Sequence, residues 1–423
     1  MISSAPATLL RSAFAAAVAA VDPRRCLPSF LPAPPSGRTI VVGAGKAAAA
    51  MAQAVEEHWP AELSGLVVTR YGHGAPTSKI KVLEAGHPVP DAAGVAAAKQ
   101  IMSLVSGLGP DDLVLCLISG GGSALLSLPG PGIQLEDKQA VVRALLKSGA
   151  AIHEINCVRR HLSAIKGGRL ALAAAPARVV TLVISDVPGN EPSDIASGPT
   201  IPDPTTTAEA LAVLEKYRID VSPAVDELLR RPEAETPKPL AAGFEKNEVH
   251  VIATSRDALE AAAGFAREHG VNPLILGNTV GEARAVALDQ AEIVRSIAAH
   301  AEPVRPPFLL LSGGETTVRV SGEGRGGRNT EFLLALAIAL EGDPNVHAIA
   351  CDTDGIDGTE NNAGALIAPD TLSRAQAIGL DAAAELAANN AFSFFEALDD
   401  LVMTGPTLTN VSDFRAVLHQ PSS

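Results

Sequence analysis

Six short apolar runs limit what this chain can fold into. They read RTIVVGAG, LSGLVVTR, DDLVLCLISGGGSAL, RVVTLVISDVPGN, FLLLSGG and VHAIACDTDGIDG, and in each the apolar residues are continuous rather than alternating. A continuous run marks a strand covered on both faces, as in a parallel sheet clothed by helices. Helical patterns follow: Lys46 to His58, then DAAGVAAAKQIMSLVSGL, LEDKQAVVRALLKSGA and INCVRRHLSAIKGGRLALAA, the last a single helix with basic residues on one side. Strand and helix in alternation predict a doubly wound α/β domain.

The chain has 423 residues, room for two or three domains. The polar, proline-containing stretch RRPEAETPKPLAAGFEKNE reads as a linker and divides residues 1–240 from 248–423. VHVIATSRDALEAAAGFAREHGVNPLILGN then reads as one β-α-β unit of the C-terminal part, and AEPVRPP sets off a last segment at about 305–415. The N-terminal pattern from Leu9 to Val21 reads as an amphipathic helix ended by Asp22-Pro23, not as a signal peptide.

Composition excludes several functions. Aromatic residues are only 3%, too few for a base-stacking nucleic-acid binder. Net charge is −14 with no long basic stretch, so neither a nucleic-acid backbone nor an anionic membrane is an expected partner. No apolar run reaches the ~20 residues that span a bilayer. The four cysteines form no C-x-x-C pair, which argues against a zinc site and for free thiols in a reducing cytoplasm. No lysine follows Lys246, so any cation the C-terminal part needs is arginine.

Ligands of open parallel sheets sit beyond the C-terminal ends of the strands. Five such ends are rich in Gly, Ser, Asp or Thr: Gly43-Ala44-Gly45-Lys46, Ser119-Gly120-Gly121-Gly122-Ser123, Ser185 to Asn190, Ser312 to Thr316, and Asp352 to Gly355. Together they predict one site drawing on both domains.

Gly43-x-Gly45-x-x-Ala48 fits a dinucleotide fingerprint, but the next strand ends in Thr69-Arg70 with no acid for the ribose. Arg70 there suits the 2′-phosphate of NADP. The loop is no Walker A, because Gly45-Lys46 is followed by alanine. Lys46 stands at a helix start, where the macrodipole disfavours a cation, so it is either aimed at an anion or solvated. SGGGS is either a turn whose backbone amides suit an anion or a tight turn that needs positive φ. Asp186, directly after its strand, suits a hydroxyl proton, Mg²⁺ or a turn cap. Asp352, Asp354 and Asp357 suit Mg²⁺ or turn capping. Arg325 and Arg328 stand among four glycines, which reads either as an arrangement that can neutralise a polyphosphate or as a flexible surface hairpin. His73, His87, His153 and His161 lack metal spacing and read as structural. Lysine, glycine turns, acids and arginines together point to phosphoryl transfer.

Seven motifs carry a resemblance to a family: VVGAGKAAAAMA, LISGGGSALL, INCVRRHLSAIKGGRLA, VISDVPGNEPSDIASGPT, LLSGGETTVRVSGEGRGGRNTEF, DTDGIDGTENNAGA and TGPTLTNVSDF. They resemble the glycerate 2-kinases, or class II glycerate kinases, whose C-terminal part is called MOFRL. The resemblance runs nearly end to end. It implies a Rossmann-like doubly wound parallel-sheet domain plus a smaller α/β C-terminal domain, with the site in the cleft between. It implies transfer of the γ-phosphoryl group of ATP to the 2-hydroxyl of D-glycerate, with Mg²⁺ or another divalent cation. Lys46 and Arg325 would stabilise phosphoryl charge. Asp186 would orient or deprotonate the hydroxyl, or bind the metal. Gly43, Gly45, Ser119, Gly120, Gly121, Gly122, Ser123, Arg159, Lys166, Asn190, Glu315, Arg328 and Asn329 would surround substrate and phosphates, and Asp354 is the candidate metal contact. Homodimer formation is compatible with the sequence. One departure stands out: the family's usual T-G-P-T-G-T-N has Leu408 in place of its second glycine. Some members are called hydroxypyruvate reductase, which leaves an NADPH-dependent reductase as the enzymatic alternative. A sugar-acid-binding protein on the same scaffold is the non-enzymatic one.

Overall fold

The computed structural model describes residues 5–421. Contacts divide the chain into two units, one of Pro23–Ala253 and one of the chain up to Asp22 together with Thr254 onward.

The Pro23–Ala253 unit is built on six strands: β1 Thr39–Ala44, β2 Ser64–Arg70, β3 Ile80–Ala85, β4 Leu113–Ile118, β5 Arg178–Ile184 and β6 Glu248–Ala253. All pair in parallel, in the order β3-β2-β1-β4-β5-β6. That is the Rossmann order, and its switch point lies between β1 and β4. Both of these strands are buried along their whole length, which explains their unbroken apolar sequence. Helix Ala48–His58 lies close to the sheet because its inward residues are mostly alanines, with Ala48, Ala49 and Ala52 fully buried.

The other unit holds β7 Asn272–Asn278, β8 Gly281–Glu282, β9 Phe308–Gly313, β10 Thr316–Thr317, β11 Val346–Asp352, β12 Gly364–Ile367, β13 Leu401–Val402 and β14 Asp413–His419. Six of them form a sheet in the order β13-β12-β11-β14-β9-β7, while β8 and β10 pair separately. Only β7 and β9 pair in parallel within that sheet; the other neighbours are antiparallel. One face packs on Phe332, Leu333 and Val294 of the helices Arg328–Leu340 and Ala283–His300. On the opposite face Phe414 meets Phe14 at 5.5 Å. Strands β9 and β11 are therefore continuous apolar runs because both faces are covered, not because their neighbours are parallel.

Three expectations change. Helix Ala5–Ala20 buries Leu10, Ala13, Phe14 and Ala17, and it packs on helix Ser255–Glu268, so it joins the second unit and not the expected 1–240 domain. Strand β6 bonds to β5, so VHVIATSRDALEAAAGFAREHGVNPLILGN is shared between two sheets and the division falls after Ala253, not before residue 248. INCVRRHLSAIKGGRLALAA is two helices, Ile152–His161 and Arg169–Ala174, broken where Gly167 and Gly168 take positive φ. Among the described residues no helix is long and apolar enough to cross a membrane.

A side chain at Gly43 has no room. Its Cβ would lie 2.1 Å from the Leu117 carbonyl oxygen of β4. Gly43→Ala is expected to cost about 2 kcal/mol or more, the range of an overpacked core. A thermal melt checks this; an unchanged Tm would show that the two strands part without cost.

Candidate functional site

The turn after β1 spends its amides on the protein itself. Gly45 N–H donates to Val68 O at 3.0 Å, Lys46 to Gly120 O at 2.8 Å, and Ala48 to Gly45 O at 3.1 Å. Ala47 N–H donates to Ser119 Oγ at 3.0 Å. A dinucleotide cradle needs such amides to point at the ligand. The glycines serve a different end here: a Cβ on Gly45, at φ +145°, would meet Ser119 Oγ at 2.1 Å. Gly43 and Gly45 thus let β1 and β4 close on each other, which is not the phosphate contact expected of them. Ser119 clamps the turn that carries Lys46. The Lys46 side chain crosses over Gly121, whose Cβ would meet Lys46 Cγ at 3.3 Å and the His87 ring at 3.0 Å.

Beside this turn lies a cavity of about 390 Å³. Its walls are the turn Gly121–Ser127, the segment His87–Pro90, the helix Leu135–Lys147, and Arg159 with Lys166. Lys138, Arg143, Arg159 and Lys166 all line it, and no carboxylate does. Asp137 holds the helix start by accepting from Gln134 N–H at 2.9 Å and from Ser222 Oγ at 2.7 Å. Lys166 is 2% exposed, and among the described residues its Nζ donates only to a carbonyl, Ala196 O at 3.1 Å. Burial, with Lys138 and Arg159 adding repulsion, pushes its ammonium well below the usual lysine range. Lys138 is likewise buried, donates to Leu128 O at 3.3 Å, and is pushed down to about 7 by burial and by Arg159 and Arg169. Burial lowers Arg159 as well. Cations buried together without counter-charge are costly, and a bound anion relieves that cost. Gly121 lines the cavity, and among the described residues no acceptor takes its amide.

Sequence reasoning found Arg159 and Lys166 but missed Lys138 and Arg143, and it gave His87 a structural role only. One signal was readable: Lys138 shares a helical face with Val141 and Leu145, both buried, so a lysine interrupts an apolar stripe.

The segment after β5 closes the C-terminal edge that β1 and β4 share. Asp186 stands half-buried just past the strand end. Further on, Ala196, Ser197 and Gly198 take φ of 52°, 59° and 56° in succession, and Asn190 takes 54°. Such strain persists only where the surroundings over-determine it. Here Ser197 Oγ bonds Ser123 Oγ at 2.8 Å, Asn156 Nδ2 donates to Asp194 Oδ1 at 3.1 Å, and buried Arg160 pairs with Asp203 at 3.1 Å.

In the second unit the expected residues meet one another. β9 and β11 end where β14 begins, with Asp352 opposite Asp413 and Ser312 opposite Arg415. Arg328 donates Nε to Asp413 Oδ1 at 2.6 Å and Nη2 to Asp352 Oδ2 at 2.8 Å, and it also pairs with Glu315. Burial opposes its charge, but Asp413, Asp352 and Glu315 together hold the guanidinium well above its ordinary value. Asn329 Nδ2 joins the group by donating to Asp413 at 2.9 Å. Asp357 is the cap of helix Arg328–Leu340, accepting from the Asn329 and Thr330 amides at 2.9 Å each, and burial raises its pKa. Asp354 is buried and accepts from Ile356 N–H at 2.8 Å. Arg325 is half-exposed yet held, paired with Glu360 at 2.5 Å and lying over Phe392 at 4.4 Å. Among the described residues no three His, Cys, Asp or Glu side chains group as metal ligands.

The folded Lys138 pKa of about 7 lies below the 10.5 of an ordinary lysine. Between these values the unfolded chain binds the extra proton, so native stability rises with pH across the window. Lys138→Met removes the penalty. Its gain in Tm is expected to be largest near ~pH 6.5 and to fade as pH passes ~10.5. A constant gain across that range would mean that the lysine stays charged in the fold.

Comparison with known proteins agrees over the whole chain. A family profile described as a domain of unknown function (DUF4147) matches residues 9–230, and the MOFRL family profile matches 308–413. A protein from Agrobacterium vitis called putative hydroxypyruvate reductase is 55% identical, covering 97% of this chain and 94% of its own. D-glycerate 2-kinase of Thermotoga maritima is 42% identical, covering 94% of each chain. The crystal structure of a glycerate kinase from Thermotoga maritima superposes with TM-score 0.87 at 40% identity, over 97% of this chain and 99% of that one. The chain belongs to the glycerate 2-kinase family, whose C-terminal part is the MOFRL domain.

Proposed function

We propose that this enzyme transfers the γ-phosphoryl group of ATP to the 2-hydroxyl of D-glycerate, giving 2-phospho-D-glycerate and ADP. The observation that carries the reading is the cavity lined by cations without carboxylates, beside the turn that carries Lys46. The kinase names of relatives such as that of Thermotoga maritima support it. In the transfer, the glycerate 2-oxygen bonds to the γ-phosphorus as the bond to the β-phosphate oxygen breaks. The hydroxyl proton passes to Asp186, and ADP leaves. Lys46 and Arg325 stabilise the charge spreading over the phosphoryl oxygens. A bound Mg²⁺ would neutralise part of that charge, and Asp186 or Asp354 would hold it as the carboxylate contact. Such a cation keeps most of its ligands from phosphate and water, which suits a chain with no three-ligand cluster among its described residues. No disulfide joins the cysteines among the described residues, which suits the cytoplasm, where we place the reaction.

The Agrobacterium vitis relative carries a reductase name. Against that activity here stand the Gly45 to Ala48 amides, all bonded within the protein and so turned away from any pyrophosphate. Two assays on purified protein decide. D-glycerate with ATP and Mg²⁺ is expected to give a 2-phosphoglycerate signal in phosphorus NMR. Hydroxypyruvate with NADPH is expected to give no loss of nicotinamide absorbance, and the reverse pair of results would make the chain a reductase. Lys46→Ala and Arg325→Ala are each expected to lower kcat about 100-fold or more. Asp186→Asn is expected to suppress turnover while the melt stays at the wild-type temperature; a collapsed melt would favour a turn-capping role.

A further inference from the structure

Resting on the kinase reading, we infer that the cavity between helix Leu135–Lys147 and the turn Gly121–Ser127 takes the nucleotide and not the acid. The polyphosphate lies against Lys138, Arg159 and Lys166, and the base against Val89, Val142 and Leu146. Size is the first argument. A volume of about 390 Å³ falls among pockets for larger ligands, ~300–1,000 Å³, and far exceeds the needs of a three-carbon acid.

Charge is the second argument. Four lysine and arginine side chains line the space with no carboxylate to answer them. A single carboxylate would leave most of these cations uncompensated in a low-dielectric site, whereas a polyphosphate answers several at once. The depressed Lys138 and Lys166 agree with a site whose counter-charge arrives with the ligand.

Polarity is the third argument. Lys138 and Lys166 are 6% and 2% exposed, while Val89 and Leu146 on the same walls are 58% and 56% exposed. The site is thus cationic where it is deep and apolar where it is open. A nucleotide divides the same way, with a charged tail and a flat base. Its outer phosphate then points toward Gly121, over which Lys46 crosses.

The test is calorimetric titration of the full chain with ADP and with inorganic tripolyphosphate, together with KM for ATP and for D-glycerate. Lys138→Met is expected to weaken both ligands about ten-fold or more. Leu146→Glu changes an exposed side chain and leaves the fold intact. It is expected to weaken ADP about ten-fold and tripolyphosphate much less. KM for D-glycerate is expected to stay within about two-fold in both variants. A raised KM for D-glycerate with ADP binding unchanged would give the cavity to the acid. Indifference of every ligand to both substitutions would remove the cavity from the site. If wild type binds ADP here but transfers no phosphoryl group, the kinase reading fails and the cavity assignment stands. If it transfers phosphate and neither variant alters ADP binding, only the assignment fails.

Discussion

Strands β1 and β4 approach at the switch point more closely than side chains allow. Gly43 lies against the Leu117 carbonyl, and Gly45 against Ser119, so neither position can carry a Cβ without moving a strand. The approach lets Ser119 Oγ take the Ala47 amide and Gly120 O take that of Lys46. Helix Ala48–His58 can then start directly after the strand, with Lys46 thrown across Gly121. Widening the strands by one methyl would loosen the clamp, turn the lysine and unseat the glycine turn together. The arrangement of the first unit's edge therefore follows from two missing side chains.

The two units treat their buried cations in opposite ways. Arg328 and Arg415 sit among carboxylates, and Arg328 is held in its charged form by Asp413, Asp352 and Glu315. A guanidinium with three partners already organises β11, β14 and the start of helix Arg328–Leu340. Its work is internal. Lys138 and Lys166 have carbonyls for partners and one another for neighbours. In a chain of net charge −14, a buried place that gathers cations and excludes acids is unfavourable unless an anion visits. That contrast, rather than the count of basic residues in a motif, separates Arg328 and Arg415, answered by carboxylates within the fold, from Lys138 and Lys166, which have carbonyl partners.

How much of this was legible follows from what leaves a trace in one strand at a time. Burial on both faces writes itself into a continuous apolar run, so β1, β4, β5, β9 and β11 could all be read. Strand direction leaves no such trace. β14 runs antiparallel between β9 and β11, and its sequence DFRAVLH carries a buried arginine and a buried aspartate that hide it. Helix Ala5–Ala20 shows its apolar face but not the sheet it covers. The glycine motif was legible as a turn after a strand. Its partner was not, because the atoms that forbid a Cβ at Gly45 belong to Ser119, 74 residues along. Lys138 was hidden by the same kind of distance, since its neighbours Arg159 and Lys166 lie beyond its own helix.

The departure at Leu408 shows how a loop keeps its shape after losing a glycine. Leu408 has φ +62°, the left-handed region where a side chain costs about 1–2 kcal/mol. The residues on either side are held by hydrogen bonds. Thr407 N–H donates to Asp354 O at 3.1 Å, and its hydroxyl bonds Thr353 O. Thr409 Oγ1 donates to Val21 O at 2.7 Å, beyond the end of the first helix. Val411 N–H donates to Thr353 Oγ1 at 2.9 Å. These bonds tie the loop to the backbone of the acidic turn from both sides of Leu408, and they outweigh the strain of one residue between them. The leucine therefore sits where glycine would, and Asp354 keeps its backbone support. Position 408 shapes the loop through its neighbours' hydrogen bonds, so a residue with a poor intrinsic preference can stand there.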